Sequence, residues 1–200
     1  MKDQKRSKMT RQLQMYYQLI SSEIIGPNDI KNIFGITRRM LQRDLKDLRD
    51  CGLINVKLDR ASDNYVIAGD ALFDELAKDR RRQHLIRLYR IGTLIRELDK
   101  TGSEELSMYE SALEDYAYAV QESLADPDNN PPDEIPDKPD RLDLPDIKAK
   151  YYALFPNSNE RTRQRDFEEM NRAGFNIYYS RKHKSFIFKY DEYTGLAMSL

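Results

Sequence analysis

The 200-residue chain has one cysteine, Cys51, no tryptophan and two histidines, His84 and His183. A lone cysteine excludes an intrachain disulfide and a multi-cysteine zinc centre. The histidines stand far apart with no motif around either, so they are expected as packing or surface residues and not as metal ligands or acid–base catalysts. No run approaches the roughly 20 apolar residues that span a bilayer. The opening Met1-Lys2-Asp3-Gln4-Lys5-Arg6 lacks the apolar centre of a signal peptide. The expectation is a soluble cytoplasmic protein with no membrane partner. Glycine-rich phosphate loops, nucleophile elbows and paired-carboxylate motifs are also missing, so no catalytic residue, metal ligand or cofactor is assigned and an enzyme is not expected.

Charge is abundant, at 34% of residues, yet 33 Lys and Arg nearly cancel 34 Asp and Glu. The cancellation hides a segregation. Between Glu104 and Asp146 fourteen acidic residues face only Lys138 and Arg141, so the sequence on either side is basic. Residues 125–146 also hold six of the eight prolines and almost nothing apolar, a composition that cannot offset the entropy of folding on its own. They are expected to form an acidic linker or long loop.

Hydrophobic periodicity supplies the elements. Leu13, Tyr16, Tyr17 and Ile20 recur at helical spacing before Gly26-Pro27, marking a helix over about 10–23. Pro27 opens a second, short helix with Ile30, Ile33 and Phe34 on its apolar face, closed by Gly35. Thr37 caps a third helix to about Asp50, with Leu41, Leu45 and Leu48 on one face and Arg38, Arg39, Gln42, Arg43, Lys46 and Arg49 around the rest. Leu53–Leu58 and Asn64–Ile67 read as strands joined by a polar turn.

Further on the chain repeats itself. Gln42-Arg43-Asp44-Leu45 and Gly52-Leu53-Ile54 have counterparts 122 residues later in Gln164-Arg165-Asp166-Phe167 and Gly174-Phe175-Asn176. Asn64–Ile67 matches Ser185–Phe188 at an offset of 121, which suggests a second hairpin with a turn one residue shorter. The pattern departs at Arg163, in the slot of Leu41, so the second unit's third helix is expected to begin later or sit differently.

The expected fold is mainly α with small β-hairpin wings, an α+β chain. It divides into a winged helix-turn-helix at 1–69, a helical connector or dimerisation segment at 70–124, the acidic proline-rich stretch at 125–146, and a second winged-helix-like unit at 147–200. That last unit needs a first helix, for which 104–124 is the nearest candidate. Leu85, Leu88, Ile91, Ile95 and Leu98, and then Leu106, Tyr109, Leu113, Tyr116, Val120 and Leu124, form near-heptad seams. They suit a homodimer or, equally, an internal helical hairpin.

The segment Ile30–Ile54, with its Gly35-Ile36-Thr37 turn, Gln42-Arg43-Asp44-Leu45 centre and Gly52-Leu53-Ile54 exit, resembles the DeoR-type winged helix-turn-helix. That domain also opens many bacterial regulators of the WYL class, and the resemblance covers about residues 10–67. It implies a sequence-specific regulator of transcription that binds double-stranded DNA, its third helix in the major groove. By matching position Arg38, Arg39 and Gln42 are candidate base readers, Arg43 and Lys46 candidate phosphate contacts, and Thr37 is a further DNA-binding candidate. Arg forks to guanine and Gln to adenine, which suits those residue types. Arg60 sits at the first wing tip. Arg161, Gln164 and Arg165 are the second unit's counterparts, and Arg181, Lys182 and Lys184 bring cations to its wing. Asp44 is expected to be a structural partner, because a carboxylate facing phosphate is repelled. With no tryptophan there is no WYL tripeptide, so a small-molecule effector is not implied. Two other readings stand beside the regulator: a plasmid or phage replication initiator, since those proteins also pair two winged helices on one chain, and a protein-binding adaptor using the acidic stretch.

Overall fold

The computed structural model describes residues 7–21, 25–99, 103–125, 146–181 and 184–188. Among them are seven helices and two small antiparallel hairpins, an α+β chain dominated by helix. The order is α1 (Lys8–Ser21), α2 (Pro27–Phe34), α3 (Arg38–Asp50), β1 (Val56–Asp59), β2 (Asn64–Ile67), α4 (Asp79–Asp99), α5 (Ser103–Ala125), α6 (Ile147–Leu154), α7 (Glu160–Arg172), β3 (Ile177–Ser180) and β4 (Ser185–Phe188). The acidic stretch expected at 125–146 lies, but for its two end residues, outside the described residues. No described helix is long and apolar enough to cross a membrane.

Short polar side chains set the helix starts by accepting backbone N–H groups that have no partner within the helix. Thr37 Oγ1 accepts from the Met40 N–H at 3.3 Å and Asn159 Oδ1 from the Thr162 N–H at 2.9 Å. Asp146 Oδ1 accepts from the Lys148 N–H at 3.0 Å. Gly35 ends α2 in the left-handed region, φ 59°, where a side chain would be strained. α7 starts at Glu160, 122 residues after Arg38, so the second third-helix begins where the first does. Arg163 does not displace it. Its guanidinium folds back over the Phe167 and Phe186 rings, 4.8 Å from each centroid, and pairs with Glu160, which lets a charged residue occupy a buried leucine slot.

The hairpins are equivalent throughout. Val56 pairs with Ile67 as Ile177 pairs with Phe188, at an offset of 121 in both strands. Asp63 and Lys184, the last residues of the two turns, are both left-handed at φ 53° and 52°. The second turn is therefore not shorter, contrary to the sequence expectation. The missing residue lies earlier, between the exit of α7 and β3, where Phe175-Asn176 does the work of Leu53-Ile54-Asn55.

One hydrophobic cluster runs through α1, α2, α3, α4, α6, α7 and β3. α1 and α4 pack against each other, and each also packs against both α3 and α7. α4 thus takes the first-helix place of the second unit that the sequence offered to 104–124. The α4 seam is internal as well: Leu85, Leu88, Ile91, Ile95 and Leu98 are all buried within the chain, so they form part of its own core and not a surface for a second copy.

Candidate nucleic-acid interface

α3 sorts its charges by side. Asp44 and Asp47 are buried with Leu41 and Leu48, while Arg38, Arg39, Gln42, Arg43, Lys46 and Arg49 are exposed. The sorting has a tertiary cause. Asp44 accepts Arg11 Nε at 2.7 Å and Gln12 Nε2 at 2.9 Å from α1, which makes it the structural partner expected from sequence. Asp47 accepts Lys8 at 2.6 Å, Gln12 at 3.0 Å and Arg81 at 3.2 Å. Burial pushes the Asp47 carboxyl up, but Lys8, Gln12 and Arg81 together hold it below the usual carboxylate value.

With its acids engaged on the far side, α3 presents cations to solvent. Arg38, Arg39 and Arg43 make no ion pair with any described residue. Lys46 pairs with Asp50 at 3.2 Å, a half-exposed i,i+4 contact of small energetic weight. Arg43 makes no i,i+4 pair with Asp47, because Lys8, Gln12 and Arg81 already occupy that carboxylate.

Beside α3 lies a cleft of about 300 Å³ between the start of α2, the start of α3 and the first hairpin. Asn28, Lys31, Arg38 and Gln42 line it together with Leu41, Leu58 and Tyr65. The Tyr65 hydroxyl is raised by burial, against the lowering effect of nearby Arg38. β2 is tied to the chain just before α2 by the Tyr65 N–H donating to Ile25 O at 2.9 Å. Lys31 and Arg49 were not among the sequence candidates. Arg49 continues the stripe of Gln42 and Lys46 and was open to that reading, whereas Lys31 joins the cleft only through the crossing of α2 with α3.

Of the other candidates, Thr37 uses its hydroxyl to cap α3, and Arg60 is exposed at the first turn. Arg161, Gln164 and Arg165 are exposed along α7, Gln164 donating to Glu160 at 3.3 Å. Arg181 and Lys184 are exposed at the second turn, and Lys182 and His183 lie outside the described residues. The α7 face is the less basic one. Glu160 and Glu168 stand where α3 has Arg38 and Lys46. The Glu160 carboxyl, held by Arg163 and by the Tyr152 hydroxyl, drops to about 2. No described group of three or more His, Cys, Asp or Glu could hold a metal ion.

Comparison with protein-family models, with curated proteins and with solved structures finds no match for this chain.

Proposed function

We propose that this chain is a regulator that binds double-stranded DNA in a sequence-specific way, with α3 as the recognition helix of a winged helix-turn-helix and the β1–β2 hairpin as its wing. The observation that carries the reading is the one-sided charge of α3. Its carboxylates are held by α1 and α4, and its exposed face holds four arginines, a lysine and a glutamine. Arg39 and Gln42 suit bidentate contact with base edges, while Arg43, Lys46 and Lys31 suit phosphates. The cleft beside the wing brings Lys31 and Arg38, which suit a phosphate, together with Asp63, whose carboxylate opposes one.

The test is fluorescence anisotropy of a labelled random-sequence duplex across a salt series, with wild type and Arg39→Ala/Arg43→Ala. Wild type is expected to bind with a steep log–log slope, and the variant to lose about 0.9 of that slope per phosphate contact removed. Both residues are exposed, so the variant should keep its circular dichroism spectrum and melting temperature. Absence of binding at low salt, or a variant indistinguishable from wild type, overturns the proposal. The repeated units also suit a replication initiator, which would melt DNA at tandem repeats where a regulator would not.

A further inference from the structure

The two helix–hairpin units meet as the halves of a two-fold dimer would. Lys8 pairs with Asp47 at 2.6 Å, and Arg87, 79 residues on, pairs with Glu169, 122 residues on, at 3.5 Å. Arg11 pairs with Asp44 at 2.7 Å, and Arg90 pairs with Asp166 at the same offsets. The contacts between units also run both ways, onto the matching acceptors Asp47 and Glu169 but from unlike positions of α1 and α4. Arg81 of α4 reaches Asp47 and Asp50 of α3 at 3.2 and 2.5 Å, while Ser7 and Thr10 of the first unit reach Glu169 of α7 at 2.9 and 2.8 Å. The face that one such unit could offer to a second copy is already covered inside the chain.

The outer faces are not equivalent. Arg161, Gln164 and Arg165 repeat Arg39, Gln42 and Arg43, but Glu168 replaces Lys46 and Glu160 replaces Arg38. Each cation set on a phosphate releases counterions and strengthens binding, and a carboxylate at the same place opposes it.

We infer that one chain takes up duplex DNA one-to-one, as a fused pair of unlike half-dimers in which α3 makes most of the phosphate contacts and α7 makes fewer. A chain built this way matches a site of two unlike halves, where a homodimer matches a palindrome. The inference rests on the DNA-binding reading of α3.

The experiment uses the full chain and a duplex of about 20 base pairs, room for two half-sites one turn apart. Sedimentation with the duplex in excess gives the stoichiometry, and anisotropy across salt compares wild type with Arg161→Ala/Arg165→Ala and Glu168→Lys. Glu168 is well exposed and, among the described residues, makes only a loose 3.8 Å ion pair with Arg172, so its replacement should not disturb the fold. One chain per duplex is expected. Glu168→Lys should bind more tightly with a slope steeper by about 0.9, and Arg161→Ala/Arg165→Ala should bind more weakly than wild type but less so than Arg39→Ala/Arg43→Ala. Two chains per duplex, or α7 variants that bind like wild type while the α3 variant weakens, overturn this inference alone. A wild type that binds no duplex overturns the reading of α3 beneath it.

Discussion

Asp44 is 1% exposed and holds two partners on α1, Arg11 and Gln12. Asp44→Ala would leave Arg11 without its acceptor, and Gln12 with Asp47 alone, in a site nearly closed to water. Breaking such a pair costs about 3 to 5 kcal/mol, and the slight exposure of Arg11 favours the lower end. A fall in the urea midpoint with unchanged m-value is the expected result. The same junction makes stability sensitive to acid. His84 lies 2.8 Å from Gln12 Oε1, and burial, then the charge of Lys8, lowers its pKa below 6.5 against the opposing pull of Asp47 and Asp44. A histidine lowered in the folded state takes up a proton on unfolding, so its contribution is full above pH 6.5 and is lost as pH falls through the lower folded value. Stability is expected to decline as pH falls below 6.5, and His84→Gln should flatten that decline in denaturation series at each pH. Asp47 acts in the same direction further down: its contribution holds above 3.8 and is lost as pH falls through its lowered value. Sequence reasoning reached Asp44 through its chemistry but not Asp47. The local i,i+4 partner Arg43 was visible in the chain, whereas Lys8 and Arg81 come from other helices.

Local turn and capping chemistry made the elements legible: Thr37, Gly35, Pro27 and Gly52 each stand where a helix starts or stops. What the chain did not disclose was which helices cross. Gly92 shows why. It sits in the middle of α4, where a Cβ would lie 2.3 Å from Leu53 Cδ1 and 3.2 Å from its Cγ. A glycine inside a helix costs about 1 kcal/mol relative to alanine, so its presence there is explained by the close passage of the α3 exit over α4 and not by helix propensity. Leu53 is itself buried and has little room to swing aside. Gly92→Ala should therefore gain about 1 kcal/mol of helix propensity and lose about 1 to 3 to overpacking. A lowered melting temperature is expected, and an unchanged or raised one would show that Leu53 moves freely. The placement of Arg163 follows the same logic: the sequence marked the irregular slot, but the two aromatic rings that accept it come from α7 and β4.

A core shared by both units makes the molecule one cooperative body. Met15, Tyr16 and Leu19 of α1 are buried in a cluster that includes Leu85, Leu88 and Ile91 of α4 and Met170 of α7. A fragment of residues 1–69 would uncover that face, although its sequence reads as a self-contained domain. The fragment is expected to lose a sharp thermal transition in circular dichroism, while the full chain unfolds in one step; a fragment that melts as cooperatively as the full chain would contradict this. The same repeat also separates the fold's frame from what has been added to it. In the first unit five residues, 22–26, carry the chain from α1 to α2, but in the second, residues 100–146 intervene between α4 and α6, with α5 among them. Lys150 Nζ donates to Glu97 O at 2.9 Å, so the two ends of this long excursion are close together. The excursion is therefore topologically a side branch. The frame can close without it, and thirteen acidic but only two basic residues between 103 and 145 would leave with it. The near-neutral balance of the whole chain thus belongs to the branch, and the frame that carries α3 and α7 is strongly positive by itself.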